Sequence, residues 1–138
     1  MITAVDTNVL LDVFTNDATF GARSLAALRA CLAEGPVIAC DVVWAELVAA
    51  FETPDAADRA LDAIPVACEP LGRDAAARAG AAWHAYRRAG GPRERVIADF
   101  LVGAHAVEQA DRLLTRDREF HRLAFAGLAI VDPAVLGG

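Results

Sequence analysis

A chain of 138 residues, 56% of them hydrophobic and many of those alanine, is one domain's worth and long enough to bury a proper core. No apolar run approaches the roughly eighteen residues of a membrane span, and the start Met1–Asp6 offers neither a basic n-region nor a cleavable apolar stretch, so neither an anchor nor a secretory leader is expected, and the cytoplasm is the expected compartment. The net charge of −6 is the wrong sign for an ordinary nucleic-acid binder, unless part of the acidic charge is gathered around bound cations.

In chain order, Ile2–Val5 is a short apolar run that stops at Asp6-Thr7-Asn8 and resumes at Val9-Leu10-Leu11. That pattern predicts a buried strand, a turn, and a helix capped by Thr7 or Asn8. Asn16-Asp17 breaks the helix, and a second one runs from about Gly21 to Ala33 with Leu25, Leu28 and Leu32 at helical spacing, stopped by Glu34-Gly35-Pro36. Val37–Cys40 is the second strand, and Asp41 is expected to cap a helix reaching about Phe51. Thr53-Pro54-Asp55 opens a short helix, Pro65 ends it, and Val66–Cys68 is the third strand.

An alanine-rich helix follows over about Arg73–Arg88, then the loop Ala89-Gly90-Gly91-Pro92, then an amphipathic helix over about Glu94–Gln109 with Val96, Ile97, Phe100, Leu101 and Ala104 as its buried stripe. Arg112–Thr115 reads as the fourth strand, Asp117–Leu123 as a short helix, and Leu128–Val131 as the last strand. Short buried strands alternating with helices predict an α/β fold, a mainly parallel sheet covered on both faces. The three cysteines, Cys31, Cys40 and Cys68, form no Cys-x-x-Cys pair and are expected as buried free thiols. His84, His105 and His121 show no ligand spacing and are expected as separate helical or surface groups.

Four acids lie where one element gives way to the next: Asp6, Glu46, Asp99 and Asp117. Each has an ordinary reading. Asp6 can begin a turn, Glu46 can reach solvent from a helix flank made of Val42, Val43, Ala49 and Ala50, Asp99 can border its stripe, and Asp117 can cap a helix. Their common address argues for more, because ligands of open parallel sheets bind beyond the carboxyl ends of the strands. All thirteen basic residues are arginine, and none lies within two positions of Asp6 or Glu46. Two carboxylates 4 Å apart repel by roughly 4 kcal/mol at an effective dielectric of about 20, and a hard divalent ion such as Mg²⁺ or Mn²⁺ removes that conflict. The chemistry such a site suits is phosphodiester cleavage. Asn8 and Thr115 are neutral groups able to orient waters or phosphate oxygens, and Arg93, Arg95, Arg116 and Arg118 are candidates for gripping an RNA backbone. Gly103, one turn beyond Asp99, suits either a close backbone approach or a plain packing contact.

The same residues carry a resemblance. Val5-Asp6-Thr7-Asn8-Val9-Leu10, Ala45-Glu46-Leu47, Ala98-Asp99-Phe100-Leu101-Val102-Gly103-Ala104-His105-Ala106 and Leu114-Thr115-Arg116-Asp117-Arg118-Glu119-Phe120 together resemble a PIN-domain ribonuclease, in particular the toxins of VapBC-type bacterial toxin–antitoxin pairs. The resemblance implies a three-layer α/β/α sandwich, Mg²⁺- or Mn²⁺-dependent endonucleolytic cleavage of RNA, and an acidic quartet at Asp6, Glu46, Asp99 and Asp117 supported by Thr115. It further implies a homodimer and a cognate antitoxin that lays a C-terminal segment across the active-site groove. Glu119 stands where many relatives have aspartate, which leaves a fifth ligand open. Other PIN proteins of this size serve in RNA maturation or decay, and a PIN-like scaffold binding RNA or protein without catalysis is a further alternative. A phosphoacceptor receiver domain is disfavoured, since Asp6 is followed by Thr7 and the chain has no lysine.

Overall fold

The computed structural model describes residues 1–92 and 95–136. In chain order the elements are β1 (Thr3–Val5), α1 (Thr7–Thr15), α2 (Gly21–Glu34), β2 (Val37–Ala39), α3 (Asp41–Ala50), α4 (Pro54–Asp62), β3 (Val66–Cys68), α5 (Arg73–Arg88), α6 (Ile97–Gln109), β4 (Arg112–Leu114), α7 (Arg118–Ala124), β5 (Ile130–Val131) and α8 (Pro133–Leu136). The five strands form one sheet in the order β3-β2-β1-β4-β5, every pairing parallel. Thr3 pairs with Val37 on one side and with Arg112 on the other, so β1 is the central strand. All three of its residues are buried, as a strand covered on both faces requires.

The helix caps follow local chemistry, with shifts from the sequence reading. Asp6, rather than Thr7 or Asn8, is the N-cap of α1, its Oδ1 accepting a 2.8 Å hydrogen bond from Thr7 N. Asn16 ends that helix in the left-handed region, φ 49°, where its N–H reaches the carbonyls of Asp12 and Val13. Asp41 does not cap α3; Cys40 holds the cap position and the Asp41 carboxylate accepts instead from Leu71 N across the sheet edge. Gly35 is required where it stands, since at φ 153° a Cβ would fall 2.2 Å from the Met1 carbonyl oxygen.

The largest difference concerns α6. The expected stripe is only part of what the helix buries: Phe100 and Ala104 are buried and Leu101 packs beside them, but Val102, Gly103, His105 and Ala106 are buried too, whereas Val96 precedes the helix and is exposed. Val102 and Ala106 pack into the main core with β1, β2 and β4, while Phe100 and Ala104 pack into a second cluster with Ala75, Ala79, Phe120 and Phe125. A helix sandwiched between two apolar layers is buried nearly all round, and periodicity then carries no face signal. Of the cysteines, Cys31 and Cys40 are buried and Cys68 is exposed, all three free. Among the described residues no helix is long and apolar enough to cross a membrane.

His105 and His121 are buried rather than superficial. Burial lowers the His105 pKa below its ordinary 6.5, only partly offset by the charge of Glu69, a hydrogen bond to its backbone, and the charge of Asp41. As pH falls, the unfolded imidazole therefore takes up its proton before the folded one, and the folded state loses stability below about pH 6.5. Thermal melts of the wild type should fall more steeply between about pH 7.5 and pH 5 than those of His105→Gln. Equal slopes would remove His105 as the source.

Candidate active site

The chain order of the sheet reverses between β1 and β4, the place where open parallel sheets bind ligands. Asp6 leaves β1 there, its N–H bonded to the carbonyl of Leu114 on β4 at 2.9 Å. Thr115 leaves β4 beside it, fully buried. The Thr115 hydroxyl donates to Asp6 Oδ2 at 2.8 Å and accepts from Asp117 N at 3.0 Å and Asn8 Nδ2 at 3.4 Å. One donor and two lone pairs are all in use, so the hydroxyl is fixed and ties three predicted residues to Asp6. Asn8 Oδ1 in turn accepts from Arg116 N, which holds the β4–α7 turn.

Glu46 enters from α3. Its side chain is exposed rather than enclosed, and its Oε1 accepts a 2.8 Å hydrogen bond from Thr7 Oγ1. Thr7 thus links the two carboxylates, its hydroxyl donating to Glu46 and its N–H to Asp6 Oδ1. Asp117 occupies the N-cap position of α7 without capping it, and its carboxylate meets the Arg95 guanidinium through two hydrogen bonds, the longer at 3.1 Å. Arg95 also lies 4.2 Å from the Phe120 ring centroid. The hydrogen-bonded Asp117 pushes the Arg95 pKa up against the opposing effect of burial, and the charges of Asp117 and Asp99 add to the rise. Asp99 sits in the first turn of α6 with Oδ2 accepting from Val96 N at 3.1 Å, and it reaches the cluster through the field at Arg95.

Asp6, Glu46 and Asp117 therefore share one hydrogen-bond network, and Asp99 borders it. Among the described residues, no three acidic, histidine or cysteine side chains close on a point that could hold an ion. The two ends differ in charge balance. Asp117 has an arginine partner; Asp6, with a side chain 15% exposed, is met by Thr115, the Thr7 N–H and His121, none of them arginine.

The remaining predicted groups are placed as follows. The Arg116 guanidinium forks onto the buried Asp12, which also accepts from Ser24 Oγ, and lies 4.0 Å over the Phe20 ring, so this arginine is engaged with α1 and α2. Arg118 opens α7, and Glu119 is exposed in its first turn. Arg93 lies outside the described residues. Two participants were not anticipated, Thr7 and His121. His121 Nε2 lies 3.3 Å from Asp6 Oδ2, and the signal that could have found it is its place one helical turn after Asp117.

Comparison with known proteins gives one family and a set of folds. The family model described as PIN domain matches residues 3–126. No curated protein matches the chain. Among solved structures, VapBC2 from Rickettsia felis bound to a DNA fragment from its promoter aligns with 18% identity and a TM-score of 0.74 over 96% of this chain and 98% of that one. VapBC-1 from nontypeable Haemophilus influenzae aligns with 17% identity and a TM-score of 0.75 over 97% and 99%. FitAcB from Neisseria gonorrhoeae aligns with 23% identity and a TM-score of 0.68, again over 97% and 99%. At these identities the likeness is one of fold, and it extends across nearly the whole of each chain.

Proposed function

The chain belongs to the PIN domain family, and from that premise we propose that it is a Mg²⁺- or Mn²⁺-dependent endoribonuclease, the toxin of a type II toxin–antitoxin pair. The observation carrying this reading is Asp6, a carboxylate only 15% exposed at the topological switch point and met by no arginine among the described residues. Glu46 is tied to it through Thr7 and Asp117 through Thr115, the charge of Asp99 acts on the Arg95 that Asp117 holds, and all three offer oxygen donors, the donor chemistry that Mg²⁺ and Mn²⁺ select. Such an ion, held among these four residues, supplies positive charge to a scissile phosphodiester as negative charge develops on it.

The chain's own residues do the rest. Thr115 and the Thr7 N–H fix the two oxygens of Asp6, so the carboxylate cannot turn away from the crevice. Glu46 is exposed at the mouth and, among the described residues, is steadied by Thr7. Arg95, already within the acid cluster, presents a forked donor suited to phosphate oxygens, and Arg118 stands at the start of the adjacent helix. The toxin assignment is supported by the solved structures of like fold, which include complexes named as toxin–antitoxin pairs. A cognate antitoxin bearing arginine would find the acids of this site complementary, and a homodimer is the expected assembly.

One observation favours a second reading, a PIN-like scaffold without catalysis: Arg95 neutralises Asp117, and no three described acids meet. Incubating the purified protein with total RNA separates the two. Defined fragments with Mn²⁺ or Mg²⁺ and none with EDTA are expected; RNA left intact under every metal condition would establish the scaffold instead.

A further inference from the structure

We propose that His121 is a positioning residue for Asp6, holding one carboxylate oxygen by a hydrogen bond so that the other faces the ion; the inference rests on the metal-site reading above. His121 is only 2% exposed, and its Nε2 reaches Asp6 Oδ2 across 115 positions of sequence. Its Nδ1 is also buried and has no hydrogen-bond partner among the described residues. That asymmetry selects the tautomer. A proton on Nδ1 would be a buried donor without an acceptor, costing about 1–3 kcal/mol, whereas a proton on Nε2 has a carboxylate oxygen to meet.

The imidazole is seated by shape as well. The Phe120 ring stands edge-on at 5.0 Å between centroids. On the facing helix, Gly103 leaves the space: a Cβ there would lie 2.9 Å from His121 Nδ1 and 2.4 Å from the Phe125 ring. Glycine inside a helix costs about 1 kcal/mol relative to alanine, and here it makes room for the histidine and the phenylalanine together. The approach is of side chains, so of the two readings open for Gly103 it is the packing contact that the structure shows.

The consequence falls on Asp6. Oδ2 accepts from both Thr115 and His121, which uses its two lone pairs, while among the described residues Oδ1 accepts from Thr7 N alone. The imidazole meets the Asp6 carboxylate through one nitrogen on one oxygen, in contrast to the arginine that grips both oxygens of Asp117. Outer partners of this kind are worth about 10–100-fold in metal affinity.

The test compares His121→Leu, which fills the seat without a donor, with His121→Gln, whose amide nitrogen can stand where Nε2 stood. Mn²⁺ affinity is read by calorimetric titration, alongside kcat, KM and thermal melts. His121→Leu is expected to weaken Mn²⁺ binding about 10–100-fold and to lower kcat with KM nearly unchanged, and His121→Gln to recover most of both. If the leucine variant cannot be purified folded, His121→Asn, whose amide is too short to reach Asp6, takes its place with the same expectation. Wild-type affinity in the leucine or asparagine variant, or an equal loss in His121→Gln, overturns the positioning role. Asp6→Asn run in parallel separates the two levels. If it loses Mn²⁺ while His121→Leu keeps it, only this inference fails; if Asp6→Asn also binds as wild type, the metal site itself fails.

Discussion

Asp6→Asn is expected to lower Mn²⁺-dependent RNA cleavage by about a thousandfold or more while costing the fold no more than about 1–2 kcal/mol. The two effects separate because Asp6 does two jobs with different atoms. Its Oδ1 caps α1 by accepting from Thr7 N, and an asparagine carbonyl does the same. Its Oδ2 accepts from Thr115 and His121, and an amide nitrogen there cannot accept, so the cost to the fold is confined to these two hydrogen bonds. What the substitution removes entirely is the negative charge. The site then keeps Glu46 at its exposed mouth and Asp117 under an arginine, neither of which replaces a largely buried carboxylate that no described arginine meets. Cleavage rates measured beside a melting curve decide the matter. A variant that melts like the wild type and cleaves within tenfold of it would place the chemistry elsewhere.

The residues of this site were legible in the sequence to different depths, for physical reasons. Asp6 stood out because an apolar strand ended on an acid, and the alternation of strands and helices fixed both the parallel sheet and the address at its carboxyl edge. α5 could be read to both ends because Gly72 precedes it and Ala89-Gly90-Gly91-Pro92 follows. The partnerships could not be read. Arg95 with Asp117, Thr7 with Glu46 and Arg116 with Asp12 join positions 22, 39 and 104 apart, and nothing local to either member signals the other. The same limit explains Arg116, which by type suggested phosphate and by position serves as the counter-ion of Asp12. The face of α6 failed for a different reason: a helix covered on two sides has no polar stripe to phase the pattern. Capping at Asp6 rather than Thr7 is a difference of one residue, within the ambiguity of any helix start. The short α8 begins at Pro133, just after Asp132, and Asp132-Pro133 reads equally well as a stop.

Phe100→Ala is expected to cost about 3–5 kcal/mol, the largest loss of stability at any single position considered, and to lower the melting temperature by roughly 10–15 °C. Phe100 is fully buried and meets Phe120 edge-to-face at 5.1 Å and Tyr86 at 5.4 Å, so its ring joins α6 to α7 on one side and to α5 on the other. Two features of the site depend on that junction. Arg95 rests on the outer face of Phe120, and the hydroxyl of Tyr86 donates to the carbonyl of Pro92 in the connection that leads to Arg95. A void at position 100 removes the support beneath both, and it does so one residue from Asp99. The expected signature is therefore twofold: a large stability loss, and in protein kept folded at low temperature a KM for RNA raised more than kcat is lowered, since the group disturbed is the arginine placed for phosphate. Denaturant melts combined with cleavage kinetics at about 10 °C read both. A loss below about 1 kcal/mol would mean that the α5–α6–α7 cluster is not a core, and a kcat loss with KM unchanged would mean that Arg95 acts on the chemical step instead of on binding.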